Sequence, residues 1–467
     1  MDCRVKHGSD VLRGLGLAVG AGRFYPASGM TPTTTRALRG RLLDFVGDPA
    51  EVGAAASYRY CHDGLLVIED GRIAGVGAAA DLLPELAPGT AIDAYPDCLI
   101  LPGLIDTHIH YPQTQVIASY GAQLLEWLNK YTFVAEQKFG DPAHAARIAG
   151  FFIEELLRNG TTTAVVYCTV HPESVEAFFA ESERRHSRMI AGKVMMDRNA
   201  PPGLTDTAER GYRESRALLE KWHRRGRQLY AISPRFAVTS SAAQLEAAGA
   251  LLREHPDAYL QTHLAENPEE IATVLRLFPH AKSYTDVYDR FGLLGPRSIF
   301  GHCLHLADEE LQRLADTRSV AAFCPTSNLF IGSGLFDLAR LRDPARPVRV
   351  SLATDVGGGT SYSMLRTAAE AYKVLQLQGQ NLSALDAFYL MTLGNARALG
   401  LEAEIGSFQT GSEADVVVLD PAATPAMRHR IEAARDLEEI LFVLMKLGDE
   451  RCVRATYVLG ELAYAAP

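Results

Sequence analysis

Between about Leu99 and about Gly400 the chain alternates eight short apolar runs with longer amphipathic stretches, and this repeated pairing constrains the fold more than any other feature. The runs are "LIDTHIH", "TTTAVVY", "MIAGKVMMD", "LYAISPRF", "AYLQTHLAE", "SIFGHCLH", "SVAAFCP" and "VRVSLATD". Runs this apolar read as strands of a parallel sheet buried on both faces. A stretch such as "AARIAGFFIEELLRNG" carries helical apolar spacing and a stop at Asn159-Gly160. Eight strand–helix units predict an α/β chain, a (β/α)8 barrel of the TIM type rather than an open sheet. The flanks differ. "GLLVIEDGRIAGVG" reads as a hairpin turning at Glu69-Asp70-Gly71, and "GSEADVVVLDP" and "ATYVLGELAYA" read as further strands. Both chain ends are therefore expected to build one small β-sandwich-like domain, residues 36–98 and 401–467, into which the barrel, residues 99–400, is inserted. Residues 1–35 show no clear periodicity and read as an N-terminal extension.

Composition removes several classes of function. With 467 residues and 47% hydrophobic content the chain can bury a barrel core and a smaller module together. A net charge of −10 gives no reason to hold a phosphate backbone, so nucleic acid is not an expected partner. The seven cysteines are scattered, odd in number and never spaced as CxxC, which suits a reducing, cytoplasmic setting and argues against a disulfide framework or a zinc ribbon. No apolar run approaches the ~20 residues of a membrane span, and no membrane segment is expected.

"DTHIH", Asp106 to His110, carries the first chemistry. In a strand His108 and His110 fall on one face with Ile109 opposite. In a barrel the C-terminal strand ends form one mouth, and residues closing the strands there read as functional. Collected that way, strand one gives His108 and His110, strand five His263, strand six His302 and strand eight Asp355. Three histidines and an aspartate satisfy a divalent transition metal; nitrogen and oxygen donors suit zinc, with a position left open for water. Taken singly, His263 or His302 reads first as a hydrogen-bonded core histidine, but five such residues at strand ends are not independent. Glu266, three positions after His263, reads either as a solvated carboxylate capping the helix begun by "NPEEI" or as the proton shuttle that hydrolysis of a C–N bond needs; the second is preferred. "LLEWLNKYTF", Leu124 to Phe133, has the spacing of an ordinary amphipathic helix packing Trp127. Lying after strand one, it is also expected to cover the mouth and keep water from the pocket. Gly332 and Gly334 of "GSGLF" are expected either to line that pocket or to serve as turn glycines.

"PGLIDTHIH", "THLAEN", "FGHC" and "ATDVGGGT" resemble the amidohydrolase superfamily. "HYPQTQ", "LLEWLNKYTFVAE", "MMDRNAP", "SPRFAVTSS" and "CPTSNLFIGSGLF" resemble its guanine-hydrolysing aminohydrolases, from about Arg36 onward. The resemblance implies hydrolytic deamination of guanine to xanthine and ammonia at a single zinc ion, with iron(II) as the alternative. It places the metal on His108, His110, His263 and Asp355, hydrogen bonding to the attacking oxygen on His302, proton transfer on Glu266, and substrate binding on Gln113, Arg235 and Phe236. An activated water would attack C2 while Glu266 protonates N3 and then carries a proton to the departing amino group. Two-metal relatives often use a carboxylated lysine near strand four, where this chain has Arg235, so one metal is expected. Related enzymes are commonly homodimers. A reading as a deaminase or hydrolase of another ring (oxidised purine, pterin, cytosine or chlorinated triazine) keeps the metal residues and changes only Gln113, Arg235 and the strand-one loop. A non-catalytic scaffold would be expected to lack the ligands.

Overall fold

The computed structural model describes residues 35–120 and 123–467, so the expected N-terminal extension lies outside the described residues apart from Thr35. Among the described residues sixteen strands form two sheets. Those of the first half are β1 (Thr35–Phe45), β2 (Tyr58–Glu69), β3 (Arg72–Ala78), β4 (Ala91–Pro102), β5 (Leu104–His110), β6 (Thr161–Tyr167), β7 (Arg188–Gly192) and β8 (Val194–Met195). There follow β9 (Leu229–Pro234), β10 (Tyr259–Leu264), β11 (Ser298–His302), β12 (Val320–Phe323), β13 (Arg349–Leu352), β14 (Val416–Leu419), β15 (Val453–Val458) and β16 (Glu461–Ala465).

The eight apolar runs become a parallel, nearly closed barrel in the order β5-β6-β7-β9-β10-β11-β12-β13. The third run is split: β8 pairs with β9 beyond a break at Lys193. A Cβ on Gly192 would lie only 1.8 Å from the Ala231 carbonyl oxygen, so the ladder passes this point with no room for a side chain. Closure between β13 and β5 rests largely on side chains. Thr107 Oγ1 donates to Ser351 Oγ at 2.8 Å, and Asn395 Nδ2 donates to the carbonyls of Ile105 and Leu352 at 2.7 and 2.8 Å. Asp106 accepts from the Thr354 amide and hydroxyl, and the Asp355 amide donates to the His108 carbonyl at 2.9 Å. These bonds bring the first and last barrel strands into register where His108 and Asp355 stand.

Low in the barrel the interior is apolar: Ile105, Val165, Ile190, Tyr259, Ile299 and Val320 meet in one cluster, closed by Leu399, Leu401 and Ile405. Polar residues collect towards the other end. The helix Pro142–Arg158 shows how local sequence sets the outer layer. Asp141 caps it by accepting from the Ala143 amide, and Pro142 opens it. Ala145, Ile148, Ala149, Phe152, Ile153, Leu156 and Leu157 bury one stripe. Gly160 ends it in the left-handed region at φ 77°, where a side chain would also strike Val417 of β14.

The chain ends share a seven-stranded sheet, β16-β15-β14-β4-β1-β2-β3, antiparallel except where β1 runs parallel to β4. It curls on itself: Ile68 and Ile73 from one edge meet Val416, Val418 and Tyr457 from the other in one core, which gives the sandwich-like character expected from sequence. Asp70 and Gly71, both at positive φ, form the tight turn between β2 and β3. The helix Leu437–Leu447 leaves this sheet and packs on barrel helices. No helix among the described residues is long and apolar enough to cross a membrane.

Candidate metal centre and base pocket

β5 delivers His108 and His110, β10 His263, β11 His302, and the turn after β13 Asp355, all buried at one end of the barrel. Asp355 Oδ1 lies 3.3 Å from His110 Nε2 and 3.5 Å from His108 Nε2, while His263 Nε2 lies 3.3 Å from His110 Nε2. Donor atoms of His108, His263 and His302 also fall within 4.8 Å of one another. The backbone is bent to achieve this: Ala265, His302 and Asp355 sit in the left-handed region at φ 52°, 77° and 52°, a conformation costing roughly 1–2 kcal/mol per residue. Gly301 contributes by lacking a side chain, since a Cβ there would come within 2.5 Å of the His108 ring.

The site's charge states suit a cation. Burial, reinforced by neighbouring histidines, holds His108 and His263 well below the ordinary histidine range; burial also lowers His110, against the pull of Asp355. Burial pushes Asp355 upward, but the His110 hydrogen bond and the surrounding histidines outweigh it and leave the carboxyl below its usual value. The result is neutral imidazoles facing an ionised carboxylate. Both ring nitrogens of His108 and Nδ1 of His110 are buried with no hydrogen-bond partner among the described residues. A buried polar atom left unpartnered costs about 1–3 kcal/mol, and of these His108 Nε2 is the one that faces Asp355 Oδ1 together with His110 Nε2, where a cation would satisfy it. His263 is already oriented for that: its Nδ1 donates to the Arg235 carbonyl at 2.7 Å and turns Nε2 inward. Cys324 also approaches His108 and Asp355, but burial drives its thiol well above the normal range, so it stays protonated and a poor ligand.

Glu266 does not cap the following helix. Asn267 does so, in a capping box with Glu270. The Glu266 carboxylate instead accepts from Ser333 Oγ at 3.0 Å and stands 3.3 Å from His302 Nε2. Burial raises its pKa, countered in part by His302. His302, whose Nδ1 contacts Asn328 Oδ1 at 2.8 Å, is pulled down by burial but raised on balance by Glu266 and Asp355. A buried carboxyl whose pKa is pushed up, beside an imidazole pushed up by it, is a pair suited to proton transfer.

A small cavity opens on these groups. It is lined by His110, His263, Glu266, His302 and Asp355 on one part and by Gln113, Leu124, Trp127, Arg235 and Phe236 on another. Leu124–Glu136 is helical throughout, widened to a π-type turn over Leu128–Thr132, and Trp127 is anchored by its indole N–H on the Ser119 carbonyl at 3.0 Å. Of the segment after β12, Ile331 lines the cavity and Ser333 touches Glu266, while Gly332 and Gly334 are turn glycines at positive φ.

The sequence reading missed Asn328, Ser333 and Glu136. Glu136 is fully buried and accepts from Gln113 Nε2 at 3.0 Å and from Arg235 Nη1 at 2.8 Å. A signal existed, because Leu128, Thr132, Ala135 and Phe139 place this carboxylate on a buried helical stripe.

A barrel whose strand ends gather imidazoles, a carboxylate and a proton-transfer pair is the architecture of a metal-dependent hydrolase. The chain belongs to the amidohydrolase family, whose sequence profile matches residues 99–463. It is 49% identical to guanine deaminase of Escherichia coli (strain K12) over 434 residues, 92% of this chain and 98% of that protein. The solved structure of E. coli guanine deaminase superposes with a TM-score of 0.90, covering 92% of this chain and all of that one. Guanine deaminase from C. acetobutylicum, solved with guanine in its active site, is 27% identical with a TM-score of 0.81 over 92% of this chain and all of that one.

Proposed function

We propose that the protein hydrolyses guanine to xanthine and ammonia. The observation that carries this reading is one cavity joining His110, His263, His302 and the Asp355 carboxylate, where the Nε2 atoms of His110 and His263 lie 3.3 Å apart, to a wall of amide, guanidinium and aromatic side chains. In this reading His108, His110, His263 and Asp355 hold one divalent metal, zinc, with iron(II) as the alternative. When bound, such an ion supplies a water acidic enough to act as a nucleophile near neutral pH. Glu266, 3.3 Å from His302, takes the two protons of the attacking water in turn, delivering the first to N3 and the second, from the hydroxyl then on C2, to the departing amino group. The water oxygen forms the new bond to C2, the C2–N bond breaks, and ammonia leaves. His302 hydrogen-bonds the attacking oxygen as charge develops on it, held by Asn328 behind it. Phe236 and Trp127 offer aromatic surface to the base, while Gln113 and Arg235 read its polar edge.

The resemblance to guanine-hydrolysing enzymes also supports a homodimer, and cysteine usage supports a cytoplasmic setting. Residues 36–98 with 401–467 are read as the small β domain and residues 99–400 as the barrel. The decisive experiment is ammonia release from guanine by metal-replete protein, with xanthine identified as product. Turnover of another ring but not of guanine would keep the chemistry and replace the substrate; no release from any ring would overturn the reading.

A further inference from the structure

Glu136 does not line the cavity, yet its carboxylate holds two side chains that do. A carboxylate can only accept, so the atom that Gln113 turns towards it must be the amide nitrogen. That fixes the amide and leaves its carbonyl oxygen, Oε1, free of Glu136. Gly357 makes room for this orientation: a Cβ there would come within 1.9 Å of Gln113 Oε1. Arg235 spends Nη1 on both Glu136 oxygens, at 2.8 and 2.9 Å, and stacks at 5.6 Å from the Phe133 ring centre. Its Nη2 and Nε form no protein hydrogen bond among the described residues and stay available to the cavity. The one buried anion therefore does three things: it balances the guanidinium, aims it, and decides which end of the neighbouring amide is presented.

We propose that Glu136 is a positioning residue that sets the hydrogen-bonding polarity of the base pocket, making Gln113 an acceptor and Arg235 a donor towards a purine with a lactam edge. This rests on the guanine reading above. Guanine offers an N1–H donor beside an O6 acceptor, matching an acceptor and a donor in the wall. In 2,6-diaminopurine the same edge is reversed, with an acceptor at N1 and an amino donor at C6. Both bases carry the same leaving group on C2, so the pair isolates recognition from chemistry. A site built to hydrogen-bond one pattern rejects its opposite strongly, by on the order of 10⁴-fold in kcat/KM, because buried polar groups are left unpaired.

In the variant Glu136→Gln the amide partner can donate as well as accept, so Gln113 is no longer held one way round. The test compares kcat and KM for guanine and 2,6-diaminopurine in wild type and E136Q, with bound metal measured in parallel. The expected result is a preference for guanine reduced by about 100-fold, carried mainly by a higher KM for guanine, with metal content retained and kcat for guanine within about tenfold of wild type. A merely structural role would lower both substrates together and leave their ratio unmoved; that outcome overturns the proposal. Should E136Q fail to fold, Glu136→Asp keeps the charge but is one methylene too short to hold both partners, and the same ratio decides. Wild-type protein that leaves guanine untouched would sink the functional reading itself, whereas guanine turnover with an unmoved ratio would sink only this inference.

Discussion

Two buried charge clusters stand at opposite ends of the barrel and differ in what they leave unmet. At the N-terminal end Arg188, which opens β7, and Arg227, which precedes β9, meet Glu413 and Asp415, which precede β14 of the small sheet. Glu413 accepts from Arg188 Nε at 2.9 Å and from Arg227 Nη2 at 2.6 Å, and Asp415 accepts from Arg227 Nη1 at 3.1 Å. Two cations face two anions, and burial, which would raise the Glu413 pKa, is outweighed by the arginines, so that it falls below the ordinary range. At the C-terminal end the histidines and Asp355 are as deeply buried, but three imidazole nitrogens have no hydrogen-bond partner among the described residues, and His110 and His263 bring their Nε2 atoms within 3.3 Å of each other. Burial alone does not separate scaffold from function. A satisfied cluster joins the barrel to the small sheet; an unsatisfied one is shaped for something the chain does not itself provide.

The contrast can be broken at either end. At the mouth, Asp355→Ala or His263→Ala should abolish metal retention and lower turnover by on the order of 10⁴-fold, since the activated water is worth several kcal/mol of barrier; metal analysis beside ammonia assays checks this. Glu266→Gln should retain metal yet lower kcat by roughly 10²–10⁴-fold, the usual worth of general acid–base catalysis, and near-normal turnover would refute the shuttle. At the opposite end, Glu413→Ala leaves two buried guanidinium groups short of a partner. It should lower unfolding stability by about 3–5 kcal/mol in denaturant titrations while kcat per folded molecule is unchanged.

A subtler effect sits just behind the mouth. Glu270 accepts from the amides of Glu266 and Asn267 and from the Tyr284 hydroxyl, and burial, with Glu266 nearby, pushes its pKa up to about 7. A carboxyl raised in the folded state is favoured protonated there. Its stabilising contribution is complete below the unfolded carboxyl range and is lost as pH climbs towards about 7, by up to about 3 kcal/mol. Glu270→Gln cannot ionise, so its unfolding free energy should vary less between about pH 4.5 and about pH 7; an unchanged slope would place the titrating group elsewhere.

Much of the molecule was legible in one dimension. The eight strands, the hairpin at Asp70-Gly71 and the helix ended by Gly160 follow from apolar periodicity and turn chemistry, which are local. His108, His110, His263, His302, Glu266 and Asp355 were legible because each closes or follows an apolar run, and parallel barrels gather strand ends. Glu136, Asn328 and Ser333 were not. Their significance lies in which atom they face, and those partners are distant in sequence: Glu136 lies 99 residues from Arg235, and Ser333 lies 67 from Glu266. The split of the third strand after Gly192 was hidden for the same reason, since the carbonyl that crowds Gly192 belongs to a neighbouring strand.

The sequence by itself determined the barrel class, its insertion between two β segments, and the residue types able to hold a metal, because periodicity and side-chain chemistry are properties of short stretches. Only the tertiary structure decided that the ring nitrogens of His108 stay unpartnered, that Glu266 faces His302 instead of capping a helix, and that one buried carboxylate orients both Gln113 and Arg235. Those facts depend on angstrom-scale approach between strands far apart along the chain, and a hydrogen bond exists or fails on that scale.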